Sequence, residues 1–376
     1  MQASQDHSES IAEALEHMHP ELAPVRDAGG DPVYLVGGAV RDLLLGRGRA
    51  DIDLVVEGDA AALAERLGAE VTSHERFGTA KVKLNGHEID IAGARSESYP
   101  QPGALPVVVG GAELADDLRR RDFTINAMAI PLQGQPGLID PHGGEADLAM
   151  RQLRVLHDDS FLDDPTRALR AARYAARFGF GLETRTAELL RATDLHTVSA
   201  NRREAELLRL AKEHGAADGF SLLSDWGLVE LRLGGDKLAG AVSELLDEGP
   251  WRSVGGRDQA VLAAAFGPRE GGEELAAENP ERPSEAVEVA RRASDVELIL
   301  ARAMGAEWLD RYIAEWRDVT LDIDGEDLIG AGLSPGPALG HGLEVALRRK
   351  LDGEISGREE ELAAALEAAR SGDGMA

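Results

Sequence analysis

Short apolar runs separated by glycine turns fill the first 130 residues. Val33–Val36 reads as a buried strand, and Gly37-Gly38 turns the chain into a short helix over Val40–Leu45. Ile52–Val56 is the next strand, and Ala60–Leu67 has helical composition. Ala80–Leu84 and His87–Ala92 flank Asn85-Gly86, the strongest short hairpin signal. Glu97–Gly111, rich in Pro and Gly, reads as a mobile loop, and Thr124–Pro131 as a strand or strand–helix junction. Ahead of these, residues 8–18 place Ile11, Leu15 and Met18 on one side of an amphipathic helix.

From Pro165 the periodicity becomes helical and Ala-rich, over 165–178, 185–194, 202–213, 235–247 and 257–266. It resumes at 285–303, 305–316, 340–351 and 357–370, while Gly267–Ser284 reads as a linker or long loop. The expectation is an α+β head followed by an all-helical remainder.

A chain of 376 residues exceeds one ordinary core, so two or three domains are expected. The absence of cysteine excludes disulfide partners, thiolate metal sites and Cys nucleophiles. The first thirty residues carry no apolar leader, and no apolar run approaches the roughly 20 residues of a membrane span. A cytoplasmic protein with no membrane partner is expected. The net charge of −28 argues against nucleic-acid binding only if read globally. Residues 31–210 hold 22 Lys and Arg against 28 Asp and Glu, a net of −6, whereas 211–376 hold 17 against 34. The basic residues of the first part cluster at Arg119–Arg121, at Arg167, Arg170, Arg173 and Arg177, and at Arg202-Arg203.

Candidate chemistry begins with Asp51 and Asp53. Side chains at i and i+2 of a strand share a face, so the two carboxylates converge and call for a cation between them. Mg²⁺ takes such oxygen pairs and brings phosphates as further ligands. The upstream Gly37-Gly38 turn offers backbone N–H groups to those phosphates. Asp90, on the second hairpin strand, is a candidate third carboxylate. In Arg120-Arg121-Asp122-Phe123-Thr124-Ile125-Asn126, the arginines suit a triphosphate or a nucleic-acid backbone, and Asp122 and Asn126 can bond ribose hydroxyls. In Asp163-Asp164-Pro165-Thr166-Arg167, an aspartate would cap the helix. Asp164 and Arg167, three apart, also pair an acceptor with a bidentate donor, the combination that reads the Watson–Crick edge of a base.

These three segments, in order over residues 33–180, resemble the class II CCA-adding enzymes (tRNA nucleotidyltransferases) and bacterial poly(A) polymerases. The shared pattern is GG-x-VRD-x-LLG with a DxD, then RRDFT-x-NA, then a D/E-D-x-x-R helix. The resemblance implies a polymerase-beta-like head at 1–150, a helical neck at 151–215 and a helical body and tail at 216–376. It also implies the roles. Asp51 and Asp53 would bind Mg²⁺, with Asp90 beside them. Gly37, Gly38 and Arg41 would meet the triphosphate, and Arg120, Arg121, Asp122 and Asn126 would hold phosphate and ribose. Asp164 and Arg167, with Arg170, would select CTP or ATP, and the 96–111 loop would switch between C and A. The implied reaction is attack of a tRNA 3′-hydroxyl on the α-phosphate by a two-metal mechanism, with pyrophosphate as the leaving group. Addition of CC only or A only, poly(A) synthesis, and a catalytically inactive RNA-binding protein stay open as alternatives. The polar stretch from Ser199 reads Ser-Ala-Asn-Arg-Arg-Glu where the family pattern is Ser-x-Glu-Arg-Ile, and it receives no role.

Overall fold

The computed structural model describes residues 2–48, 51–68, 71–74, 78–84, 86–135 and 137–372. The strands are β1 (Val33–Val36), β2 (Ile52–Val56), β3 (Val71–His74), β4 (Thr79–Leu84), β5 (His87–Gly93), β6 (Arg95–Ser98), β7 (Val107–Gly110), β8 (Ala129–Pro131), β9 (Gln152–Leu153) and β10 (Gly181–Leu182). The first helices are α1 (Gln2–Met18), α2 (Ala23–Asp27), α3 (Gly38–Leu44), α4 (Ala60–Arg66), α5 (Leu114–Arg119), α6 (Gly144–Ala149), α7 (Ser160–Asp163), α8 (Thr166–Phe178), α9 (Thr184–Arg191) and α10 (Ala200–Ala211). They are followed by α11 (Ala216–Asp225), α12 (Gly235–Leu245), α13 (Arg257–Phe266), α14 (Glu270–Ala276), α15 (Pro283–Ala290), α16 (Asp295–Ala303), α17 (Trp308–Arg311), α18 (Gly325–Gly330), α19 (Pro337–Leu351) and α20 (Arg358–Gly372).

The chain divides into two compact units. One comprises Met1–Leu210 with Leu222–Val229, and the other Ala211–Ser221 with Glu230–Ala376. The first is built on a mixed six-stranded sheet of order β3-β4-β5-β2-β1-β8. Alternation along the central strands decides what each face carries. Leu35, Leu54, Ile89, Ile91 and Ile130 enter the main core with Ile11 and Leu15 of α1, Leu63 of α4 and Ala168, Ala171 and Ala175 of α8. Val36, Val55 and Ala129 point the other way, into a small cluster capped by Leu114 and Leu118 of α5. Asp53 shares parity with Val55, so it projects on this thinly covered face.

The β4–β5 hairpin forms as expected, antiparallel with Leu84 opposite His87, and Asn85 of its turn lies outside the described residues. The 97–111 segment departs from a plain loop. Its ends are β6 and β7, an antiparallel pair with Ser96 opposite Val109, and the prolines sit in the connection between them. The β-branched run Val107-Val108-Val109 carries the second strand. Gly267–Ser284 is not a plain linker either, because it contains α14. A Cβ on Gly272 would lie 2.7 Å from Leu300 Cβ, so the glycine admits α16 at close range within the second unit. Among the described residues, the regular elements of that unit are all helices. Its α19–α20 pair closes over Ile323, Leu328, Ala346, Ile355, Ala364 and Ala365. Among the described residues, no helix is long and apolar enough to cross a membrane.

Candidate active site

Gly37 ends β1 at φ 69° and ψ −129°, and its N–H donates to the Met128 carbonyl at 3.2 Å. A Cβ there would stand 2.7 Å from Arg121 Nη1, so glycine is needed both for the turn and for the approach of that guanidinium. Asp51 lies just before β2 and Asp53 within it, between buried Ile52 and Leu54. Strand β2 runs parallel to β5 with Asp53 directly opposite Asp90. Loss of solvent raises the pKa of Asp53; Arg121 opposes that, while the like charges of Asp90 and Asp51 add to it. Lys81 Nζ stands 3.4 Å from Asp90 and 3.6 Å from Glu88, and Asp90 above all raises the pKa of this ammonium.

Helix α5 aims the arginine pair. Asp117 is wholly buried and accepts from Arg120 at 2.7 Å and from Arg121 at 2.9 Å. Burial alone would raise its pKa, but the two guanidiniums outweigh burial and hold it below the usual carboxylate value. Asp122 Oδ1 accepts from the Phe123 N–H at 2.9 Å and from Asn126 Nδ2 at 3.0 Å. Asn126 Oδ1 in turn accepts from Arg41 Nη1 at 2.6 Å, and Arg41 Nε donates to Asp42 at 2.8 Å. The Arg41 guanidinium also covers the Phe178 ring at 4.5 Å. This buried chain ties the glycine-turn helix to the Asp122 segment.

Helix α8 supplies the third wall. Asp164 Oδ1 accepts from the Thr166 N–H at 3.1 Å and from Thr166 Oγ1 at 2.6 Å, which anchors the start of the helix. Its Oδ2 accepts from Arg170 at 2.9 Å. Arg170 also reaches Asp122 at 3.4 Å and Glu206 at 3.5 Å, and these acids raise its pKa against the effect of burial. Arg167 donates to Ser160 Oγ at 2.6 Å and to the Arg120 carbonyl at 2.7 Å. Three of its five N–H groups remain for another acceptor.

These walls enclose a cavity of about 500 Å³. Gly37, Gly38, Arg41, Asp51, Asp53, Arg120, Arg121, Asp122, Asn126, Asp164, Arg167 and Arg170 all line it. Asp90 does not. It lines an adjoining cavity of about 470 Å³ that shares Asp53, Arg120 and Arg121 with the first. Sequence reasoning did not single out Asp42, Glu97, Pro106 and Tyr174 as lining residues, and it named Arg173 and Arg177 only as basic residues. Asp117 was missed as well. The one available signal was an acid three and four residues before two arginines on a helical pattern. Seven arginines and six acids line the main cavity, so in a chain of net charge −28 the lining is close to charge balance.

Among the described residues, no group of three His, Cys, Asp or Glu side chains closes on a common point. Asp51 and Asp53 nevertheless supply hard oxygen donors whose crowding with Asp90 contributes to the raised pKa of Asp53. Such a donor pair suits Mg²⁺, which completes its shell with phosphate oxygens and water.

The model of the poly(A) polymerase head domain matches residues 33–154. A CC-adding tRNA nucleotidyltransferase of Deinococcus radiodurans is 37% identical over 89% of this chain and 89% of its own length. A CCA-adding enzyme of Lactobacillus delbrueckii is 30% identical over 95% of this chain and 97% of its own length. The chain belongs to the class II CCA-adding tRNA nucleotidyltransferase family. An A-adding enzyme of Halalkalibacterium halodurans reaches 44% identity, over 54% of this chain and 50% of its own length. The chain spans about half the length of this A-adding relative and of the one from Geobacter sulfurreducens. A CCA-adding enzyme in an apo form superimposes with a TM-score of 0.75 at 31% identity, covering 95% of this chain and 98% of the other. CCA-adding enzymes complexed with tRNA, ATP and CTP superimpose with TM-scores of 0.71, 0.73 and 0.73.

Proposed function

We propose that the protein adds CCA to the 3′ end of tRNA, taking CMP and AMP from CTP and ATP and releasing pyrophosphate. One observation carries this reading. Asp51 and Asp53, the Gly37-Gly38 turn and the Asp164/Arg167 pair, distant in sequence, line a single cavity with six further arginines. The triphosphate would lie along the glycine turn toward Arg120 and Arg121, with its ribose near Asp122 and Asn126. Mg²⁺ held by Asp51 and Asp53 would supply charge neutralisation at the triphosphate and acidify the attacking hydroxyl. Asp90, opposite Asp53 on the same sheet face, would accept the proton of the tRNA 3′-hydroxyl. Orientation and charge stabilisation would carry the chemistry without a covalent intermediate.

Base choice falls to the protein, because no nucleic-acid template takes part. Cytosine N4 and adenine N6 both present an amino donor. Asp164 Oδ2, with Arg170 as its one recorded donor, keeps a lone pair for that amino group. The spare N–H groups of Arg167 would meet the neighbouring ring acceptor. In domain terms, 1–150 would act as catalytic head, 151–215 as base-reading neck and 216–376 as tRNA-binding body and tail in the cytoplasm.

A second reading is addition of CC only or A only. The CC-only form is favoured by the 37% identity, over 89% of both chains, to a CC-adding enzyme, and the A-only form by the 44% identity, over 54% of this chain, to an A-adding one. The deciding experiment offers three tRNA transcripts, ending before CCA, after C and after CC, with Mg²⁺ and CTP, ATP or both. Full CCA on the first transcript supports the main reading. A stop at CC, or extension of the CC-ended transcript alone, replaces it with the second, and no extension of any transcript refutes both.

A further inference from the structure

Lysine is rare in this chain, five residues against 35 arginines, yet two of the five, Lys81 and Lys83, stand at i and i+2 of β4. The register puts both on the sheet face that carries the acids. Lys81 lies opposite Asp90 and Lys83 opposite Glu88, and Asp90 is in turn opposite Asp53 on β2. Lys81 Nζ stands 3.4 Å from Asp90 Oδ1 and 3.6 Å from Glu88 Oε2. Both distances are longer than an ordinary N–H···O hydrogen bond, so the ammonium is shared between the two carboxylates and belongs to neither alone. Lys81 is half exposed and lines the cavity of about 470 Å³ together with Asp53 and Asp90. Its charge reaches Asp53 as well, where it opposes the raised pKa.

We propose that Lys81 is a positioning residue for the metal site: its ammonium balances Asp53 and Asp90 while no divalent ion is bound, and passes to Glu88 when one is. The side chain suits such an exchange. An ammonium is a point charge with three rotatable donors on a flexible stem, whereas a guanidinium is a rigid fork. Its two acceptors share one strand face at nearly equal distances, so rotation of the stem carries it from Asp90 to Glu88. Divalent charge held by Asp51 and Asp53 repels the ammonium from their side, and Glu88 receives it. Asp90 is then left with both oxygens open, as its role as proton acceptor requires. The proposal rests on the reading of Asp51 and Asp53 as the metal pair.

The test titrates the full chain with Mn²⁺ alone, an ion that carboxylate sites take as they take Mg²⁺, and follows the free ion by electron paramagnetic resonance. Neither nucleotide nor tRNA is present. K81Q removes the competing cation and is expected to tighten Mn²⁺ binding about threefold, the scale of a half-exposed ion pair. E88Q withdraws the second acceptor, keeps Lys81 at Asp90 and is expected to weaken binding about twofold. In the K81Q/E88Q double variant the loss of Glu88 is expected to have no further effect, so the affinity equals that of K81Q. K83Q removes the same charge two residues along the strand and is expected to bind Mn²⁺ as wild type does. Should K81Q fold poorly, K81M carries the same test, since it keeps the apolar stem. Wild-type affinity in K81Q, an equal gain in K83Q, or additive effects in the double variant would overturn the exchange. Mn²⁺ binding that D53N leaves intact, or none in the wild type, would instead overturn the metal assignment beneath it.

Discussion

Asp53 and Asp90 face each other in register across the parallel strands β2 and β5, on the side of the sheet that α5 covers only in part. Directly opposed carboxylates repel, and Lys81 at 3.4 Å is the cation that balances Asp90. If Asp90 takes the proton of the attacking hydroxyl, D90N lowers the single-turnover rate by about 100-fold or more and leaves the KM for CTP nearly unchanged. A rise in KM at a wild-type rate would place Asp90 in substrate binding instead.

For Asp53 the prediction joins activity and stability. Its pKa is raised, chiefly by lost solvation, so the ionised form costs the folded state free energy. The associated stability is fully present below the ordinary carboxylate pKa and is lost as pH rises through the elevated folded value. D53N cannot ionise. It is expected to abolish incorporation from either nucleotide while melting no lower than wild type at pH 7, with the difference shrinking as pH falls below the ordinary value. A calorimetric pH series on both proteins checks the sign.

Asp117 has the opposite sign. Its folded pKa is depressed because Arg121 and Arg120 outweigh burial. The stability it contributes is present above the ordinary carboxylate value and fades as pH drops through the lowered one. D117A leaves two half-buried guanidiniums without their shared acceptor and should cost about 3 kcal/mol in denaturant unfolding at pH 7. The KM for CTP should rise in parallel, because Arg121 loses its aim toward Gly37.

What could be read in the chain, and what could not, follows the range of each interaction. Asp51 with Asp53, and Asp164 with Arg167, sit within a few residues of each other, so local periodicity sufficed to pair them. The pairing of Asp53 with Asp90 is a matter of strand register across a parallel crossover, which no local pattern encodes. The β6–β7 hairpin was hidden because Pro and Gly dominate the composition of 97–111, although they occupy the connection and the strand ends. The composition of Gly267–Ser284 reads as a linker, yet Gly271 and Gly272 within it serve close packing of α14 on α16. Arg202 was visible as a residue and silent as to its contacts, since its partners Gly103 and Asp164 lie 99 and 38 positions away.

Arg167 holds two acceptors of the protein while keeping donors for a base. R167A is expected to narrow the preference between CTP and ATP at least about tenfold, with overall incorporation less affected than in D53N. Loss of the bond to the Arg120 carbonyl also predicts a modest increase in KM for both nucleotides, equal in the two cases. Measured selectivity identical to wild type would remove Arg167 from base recognition.

Arg41 separates two roles that the sequence left merged. As a simple triphosphate ligand, it would keep its guanidinium free, and its loss would raise KM without harming the fold. The structure instead buries it to 4% exposure, with Asp42 on Nε, Asn126 on Nη1 and Phe178 beneath. Only its remaining N–H groups can turn to the cavity. R41K keeps the charge and loses the fork, so Asp42 and Asn126 cannot both be satisfied. The expected result is a loss of about 2 kcal/mol of stability, within the range for a buried charged hydrogen bond left unmade. Because Asn126 is thereby released beside Asp122, kcat should fall together with the rise in KM. A variant that melts like wild type and changes KM alone would return Arg41 to the role of a triphosphate ligand.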